Sequence, residues 1–159
     1  MTTLNGQKEL EAYTGAIANI ERLHRLLLDM LKLELDSIGL TEVNNVQALL
    51  LYSIGDAEMT AGELRSRGLY LGSNVSYNLK KLVQAGFIHH EKSALDRRSV
   101  RVRLTPAGQK IRKIVHEMYL RHSILLRDSG GITPEEIGVG NRILTNLELF
   151  WQAQLDRRQ

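Results

Sequence analysis

The residues best placed to do chemistry in this chain are arginines set along an alternating strand. Between Leu95 and Gly108 the sequence reads LDRRSVRVRLTPAG. Asp96, Arg97 and Arg98 fall in a turn, after which Ser99, Arg101 and Arg103 alternate with Val100, Val102 and Leu104. A period of two sends the apolar residues to one face of a strand and the serine and arginines to the other. The apolar face suits a core. The guanidinium face suits solvent or an anionic partner, because a guanidinium presents paired N–H donors to phosphate or carboxylate. Thr105 followed by Pro106 is a helix opening, an N-cap oxygen and then the residue best tolerated in a first turn. A basic ribbon that runs straight into a helix has the form of a DNA-binding wing; the alternative is a solvated charged hairpin.

A second group of polar residues stands just upstream, in SNVSYNLKKLVQAG. Ser73 is an N-cap candidate for a helix through Gln84, and Gly86 closes it. On that helix Val75, Leu79 and Leu82 share one face, while Asn74, Tyr77, Lys80 and Lys81 lie roughly opposite. An amide can pair with adenine, and ammonium groups reach guanine acceptors or phosphates. The N-terminal half of such a helix is the part that meets base edges. Asn74 and Tyr77 are therefore the expected readers, with Ser76 beside them. Lys80 is expected on phosphate, and Lys81 on either a base or the backbone. Asn78, at the apolar boundary, reads as a half-buried structural amide. The alternative for the whole face is an ordinary solvated helix surface.

Charge separates along the chain in the same sense. The 159 residues carry a formal net charge of only +3. Residues 60–113, however, hold twelve Lys or Arg against three acids, a net +9 that leaves −6 on the remainder. Such polarisation points to a polyanion-binding lobe joined to an acidic one. The basic segment lacks the apolar-faced basic helix expected of a peripheral membrane anchor, which argues against a membrane surface as the anion. Apolar runs such as Leu26–Leu28 and Leu49–Leu51 are far too short to span a bilayer. The N-terminal residues show no basic-then-apolar leader. The chain has no cysteine, which excludes disulfides and thiolate metal sites and fits a cytoplasmic setting.

The elements that must hold these residues follow from periodicity and caps. Glu9 to Ser37 reads as a long helix, with Ile17, Ile20, Leu23, Leu27, Met30, Leu31 and Leu35 at near-helical spacing. A second helix spans about Val43 to Ile54, with Val46, Leu49, Leu50 and Ile54 apolar. Thr60-Ala-Gly-Glu63 has the form of a capping box and predicts a short third helix to about Arg67. After the fourth helix, Phe87–Lys92 and Ser99–Leu104 read as an antiparallel pair. A helix from Pro106 to about Arg127 and another from Thr133-Pro134 to about Leu155 complete the chain. The fold class is mostly α with a small two-stranded wing: a winged helix-turn-helix over about 40–108, flanked by long helices over about 9–38 and 109–156. Ile143, Leu144, Leu147, Leu149, Phe150 and Trp151 make the last helix too apolar to stand in water alone. A homodimer through the end helices is the expectation.

LDRRSVRVRLTPAG resembles the wing motif of the MarR-family transcriptional regulators. Asp96, Arg98, Leu104, Thr105 and Gly108 match that family's Asp-x-Arg and Leu-Thr-x-x-Gly pattern at the right spacing, and the helix order is similar along essentially the whole chain. The stretch TAGELRSRGLYLGSNVSYNLKKL looks like the LdtR/PetP-type branch. The resemblance implies a triangular homodimer on a pseudo-palindromic double-stranded operator, with two recognition helices in successive major grooves. It implies Arg98 in the flanking minor groove, oriented by Asp96, with Arg97 on phosphate and Arg101 counted among the contacts. A local salt bridge between Asp96 and Arg98 is the structural alternative, and both can hold together. Family members often carry arginine where Tyr77 stands, so the operator cannot be transferred from relatives. Many members bind small aromatic or anionic effectors between the DNA-binding lobe and the dimer helices. His24, Leu27, Tyr52, His116 and Tyr119 hold the corresponding positions, although core or interface roles suit them better.

No cofactor or metal is implied. His89 and His90 are adjacent on a strand and point to opposite faces, and His116 and His122 diverge by about 120° around a helix. There is no phosphate loop, no zinc-protease helix and no nucleophile elbow, so an enzyme is not expected. The reading is a homodimeric DNA-binding regulator of repressor type, with activation left open. The competing reading is a dimeric module whose basic lobe meets an acidic protein.

Overall fold

A computed structural model describes residues 4–64, 72–92 and 100–157. Among these the order is α1 (Leu4–Ser37), α2 (Asn45–Ile54), β1 (Met59–Thr60), α3 (Ala61–Leu64), α4 (Gly72–Gln84), β2 (Ile88–Lys92), β3 (Val100–Leu104), α5 (Pro106–Asp128) and α6 (Pro134–Asp156). The winged-helix arrangement is present, with the two-stranded wing formed by β2 and β3. A third short strand that was not expected, β1, joins it in an antiparallel sheet of order β1-β3-β2. β3 is its centre, pairing Met59 with Val102 on one side and Ile88 with Leu104 on the other. A two-residue strand has no periodicity to read. β1 exists because β3 would otherwise offer an unpaired edge beside the loop leaving α2.

The chain falls into two compact units, residues 1–116 and 117–159. In the first, Leu31 and Leu35 of α1 pack with Ala48, Leu50, Leu51 and Ile54 of α2, Leu82 of α4, Ile88, Val102 and Leu104 of the sheet, and Ile111 and Val115 of α5, all buried. The α2 stripe is shifted from the one expected. Val46 is exposed, and Ala48 and Leu51 take the inner positions. Local bonds explain this orientation. Asn44 and Gln47 cap α2 reciprocally, and the Asn45 amide donates to the Leu28 carbonyl at 2.9 Å, tying the first turn of α2 to α1. On α1, Leu23 and Met30 are exposed, leaving a row of Leu23, Leu26, Met30 and Leu33 uncovered. α1 also starts at Leu4, five residues before the expected Glu9.

In the second unit, Thr133 and Glu136 form the expected capping box, with Pro134 in the first turn of α6. α6 has no buried residue, and Ile137, Val139, Ile143, Leu144, Leu149, Phe150 and Leu155 are exposed. Among the described residues no helix is long and apolar enough to cross a membrane.

Candidate nucleic-acid interface

The Leu-Thr-x-x-Gly segment fixes how the β2–β3 hairpin leaves α4. α4 ends in a Schellman turn: the Phe87 N–H donates to the Leu82 carbonyl at 2.9 Å and the Gly86 N–H to Val83 at 3.1 Å. Gly86 takes φ 81°, a left-handed conformation that suits glycine. Thr105 then locks this turn to the start of α5. Its hydroxyl donates to the Gly86 carbonyl at 2.6 Å and accepts the Gly108 N–H at 3.1 Å. The Thr105 N–H donates to Phe87 at 3.0 Å. Thr105 is thus a helix cap and also a bolt between α4, β2 and α5.

α4 divides its residues as an amphipathic helix should. Leu82 is buried and Leu79 half-buried, whereas Ser76, Tyr77, Lys80 and Lys81 are exposed. Tyr77 shows 60% of its surface to solvent. The Lys81 ammonium stands 5.5 Å from the Tyr77 ring centroid, a cation–π pair one turn apart worth about 0.5–1 kcal/mol at an exposed site. Ser73 and Asn74 stand in the first turn of α4. The helix begins at Gly72, so Ser73 lies inside it rather than capping it from outside. Between α4 and the wing runs a groove of about 400 Å³, floored by Leu79, Val83 and Val102 and edged by Ser76, Lys80 and His90. His90 pairs with Val102 on the inward side of the sheet, yet it is exposed because of this groove.

On the outward face of the sheet, Arg101 and Arg103 alternate with buried Val102 and Leu104. Both are paired with acids. Arg101 Nη1 lies 3.3 Å from Glu58 Oε2, and Arg103 Nη2 lies 3.7 Å from Glu91 Oε1. Glu58, in the loop before β1, was missed by sequence reasoning, because only β1–β3 pairing brings it to Arg101. Asp96, Arg97 and Arg98 lie outside the described residues.

Of the expected effector positions the structure brings together Tyr52 and His116, whose rings stack at 6.4 Å between centroids and 19° between planes. His24 is exposed, and Leu27 and Tyr119 are half-buried. A residue that sequence reasoning missed joins the stack. Arg112, one turn before His116 on α5, places its guanidinium 6.0 Å from the Tyr52 ring centroid and bonds Asp56 at 2.9 Å. Its Nε is buried with no hydrogen-bond partner. The i,i+4 spacing of Arg112 and His116 was the available signal. Among the described residues, no group of three or more His, Asp or Glu could hold a metal ion.

This geometry agrees with what the chain is similar to. Residues 43–108 match the family model described as a winged helix DNA-binding domain. The chain is thus a winged-helix protein of the DNA-binding class. The exopolysaccharide II synthesis transcriptional activator ExpG of Rhizobium meliloti is 37% identical over 107 residues, 67% of this chain and 55% of ExpG. The HTH-type transcriptional regulator YsmB of Bacillus subtilis is 30% identical over 138 residues, covering 83% of this chain and 90% of YsmB. Among solved structures, a MarR variant from E. coli complexed with operator DNA superposes with a TM-score of 0.63 at 21% identity, over 82% of this chain and 91% of that one. The chain belongs to the HTH-type transcriptional regulators with a winged-helix DNA-binding domain, and its fold is that of the MarR structure. These matches do not single out the LdtR/PetP-type branch.

Proposed function

We propose that the protein is a homodimeric, sequence-specific regulator that binds a pseudo-palindromic double-stranded operator and acts as a repressor. α4 enters the major groove. Asn74 and Tyr77, with Ser76, meet base edges, and Ser73, Lys80 and Lys81 position the helix. The wing carries Arg98 into the adjacent minor groove, with Asp96 orienting it and Arg97 and Arg101 on the backbone. The observation that carries this reading is the exposed polar face of α4 beside a basic β2–β3 wing, within a segment of net charge +9. The MarR variant from E. coli, similar in fold, is described in complex with operator DNA. A narrow A·T-rich minor groove concentrates negative potential and attracts an inserted guanidinium.

Small aromatic or anionic effectors modulate the binding through the neighbourhood of His24, Leu27, Tyr52, His116 and Tyr119. The Tyr52–His116 stack with Arg112 over it supports this, since it presents aromatic faces beside a cation. A second reading has one observation in its favour. ExpG, 37% identical over its matched part, is named an activator, so the same interface can serve activation. Selection of bound fragments from a genomic DNA pool, followed by a salt titration on the winner and on a mixed-sequence duplex, tests the proposal. Binding should weaken steeply with salt as counterions return to the phosphates. Equal affinity for both duplexes would reject sequence-specific recognition. Binding only to an acidic protein would favour the interaction-module reading.

A further inference from the structure

Both described wing-strand arginines face carboxylates, but the two pairs differ in origin. Glu91, the partner of Arg103, belongs to the same hairpin and sits directly across from Arg101 in the β2–β3 register. Glu58 comes from outside the hairpin, 43 residues before Arg101 in the chain. The β1–β3 pairing sets Arg101 opposite Thr60. Glu63 holds the Thr60 N–H at 2.6 Å, and Glu58, Thr60, Glu63 and Arg101 line one small polar niche. In a lobe otherwise dominated by lysine and arginine, two carboxylates share this niche with one guanidinium, and Glu58 is the one that pairs with it. The niche is open: the side chains of Arg101 and Glu58 are 48% and 39% exposed. An ion pair that exposed is weak and is easily exchanged for another anion.

A carboxylate oxygen and a phosphate oxygen offer the same acceptor chemistry to a guanidinium. We propose that Arg101 is a backbone-phosphate contact whose access is limited by Glu58, an intramolecular competitor for DNA. The proposal rests on the DNA-binding reading above and adds to it a residue that lowers affinity rather than raising it. Free Arg101 would pull on every duplex it meets. Paired with Glu58, it adds little charge to the approaching surface and joins the complex only when phosphate displaces the carboxylate. Glu58 acts through Arg101 and touches no nucleotide itself.

The test is a double-mutant cycle on the full chain, read by binding to a mixed-sequence duplex and to the genomically selected fragment across a salt series. Glu58→Gln should tighten binding by up to about fivefold, the range open to an exposed ion pair. On the mixed duplex it should steepen the salt dependence by about one released counterion. In an Arg101→Gln background the same change should have no effect. Glu58→Ala repeats the measurement if the amide disturbs β1, and thermal melts show whether each variant is folded. Unchanged affinity in folded Glu58→Gln would overturn the proposal while leaving DNA binding intact. A gain of equal size in the Arg101→Gln background would overturn it too, since net charge alone would then be responsible. Failure of the unmutated protein to bind either duplex would instead reject the underlying reading.

Discussion

Gly108 lies so close to the Phe87 carbonyl oxygen that a Cβ at position 108 would collide with it, and the Leu104 Cβ stands 3.3 Å from the same point. The carbonyl cannot retreat, because it also accepts the Thr105 N–H. Glycine is therefore required here by space, not by backbone angle. Gly108→Ala should destabilise the protein by about 1–3 kcal/mol, the usual cost of overpacking a filled site. A urea melt of the variant checks this, and a midpoint equal to the parent's would show that the α4–β2 turn yields more readily than the contact implies.

The hydroxyl of Thr105 gives a complementary case. Valine has nearly the same shape but leaves the Gly86 carbonyl and the Gly108 N–H without this partner. Thr105→Val should cost about 1–3 kcal/mol, whereas Thr105→Ser should keep most of the stability. The comparison uses thermal or chemical melts of the two variants. Equal losses would assign the role of Thr105 to packing of its methyl group instead.

Tyr77 is expected to select sequence, and Lys80 to hold the helix in place. Tyr77→Ala should change the ranking of operator variants more than it changes affinity for mixed DNA. Lys80→Ala should weaken all duplexes alike and reduce the salt slope by about one. Competition binding against a panel of single-base operator variants separates the two patterns. A uniform loss from Tyr77→Ala would make it a positioning residue. The Lys81 ammonium against the Tyr77 ring adds a further handle: if it orients the phenol, Lys81→Gln should shift the same base preferences as Tyr77→Ala, only less.

Much of this arrangement was legible in the sequence, for identifiable reasons. Two capping boxes, Thr60/Glu63 and Thr133/Glu136, are local in sequence and form as written. So does the alternation that buries Val102 and Leu104. What escaped was non-local. β1 is two residues long and depends on β3, more than forty positions away in sequence. Glu58 becomes relevant to Arg101 only through that pairing. Arg112 sits over Tyr52 because α5 passes the end of α2, and Val46 faces outward because Asn45 is tied to Leu28. Periodicity reports which face of a helix is apolar. It does not report how far the helix rotates when a neighbour's backbone claims one of its side chains.

Arg98 carries the wing's proposed contact with the minor groove. Arg98→Ala should weaken operator binding by about 1–3 kcal/mol while leaving the oligomeric state unchanged. The loss should be largest where the flanking sequence is A·T-rich, because there the groove is narrow and its potential strongest. Binding to operators with A·T-rich and G·C-rich flanks measures this. Affinity unchanged on both would remove Arg98 from the contact list.

The end helices make the last prediction. α6 buries none of its residues within the chain, yet it exposes Ile143, Leu144, Leu149 and Phe150. Leaving that much apolar surface in water is unfavourable, and a second copy of the chain can cover it. A chain ending at Thr133 should therefore be monomeric in sedimentation or light scattering at concentrations where the full chain is dimeric. It should also lose operator affinity, because a palindrome rewards two linked recognition helices. Circular dichroism checks that the truncated chain is still folded, which is expected because the core residues Leu31, Leu51, Ile54, Leu82 and Val115 lie before the cut. If the folded, truncated chain still dimerises, the interface must lie elsewhere. The exposed row Leu23, Leu26, Met30 and Leu33 on α1 would then be the surface to mutate first.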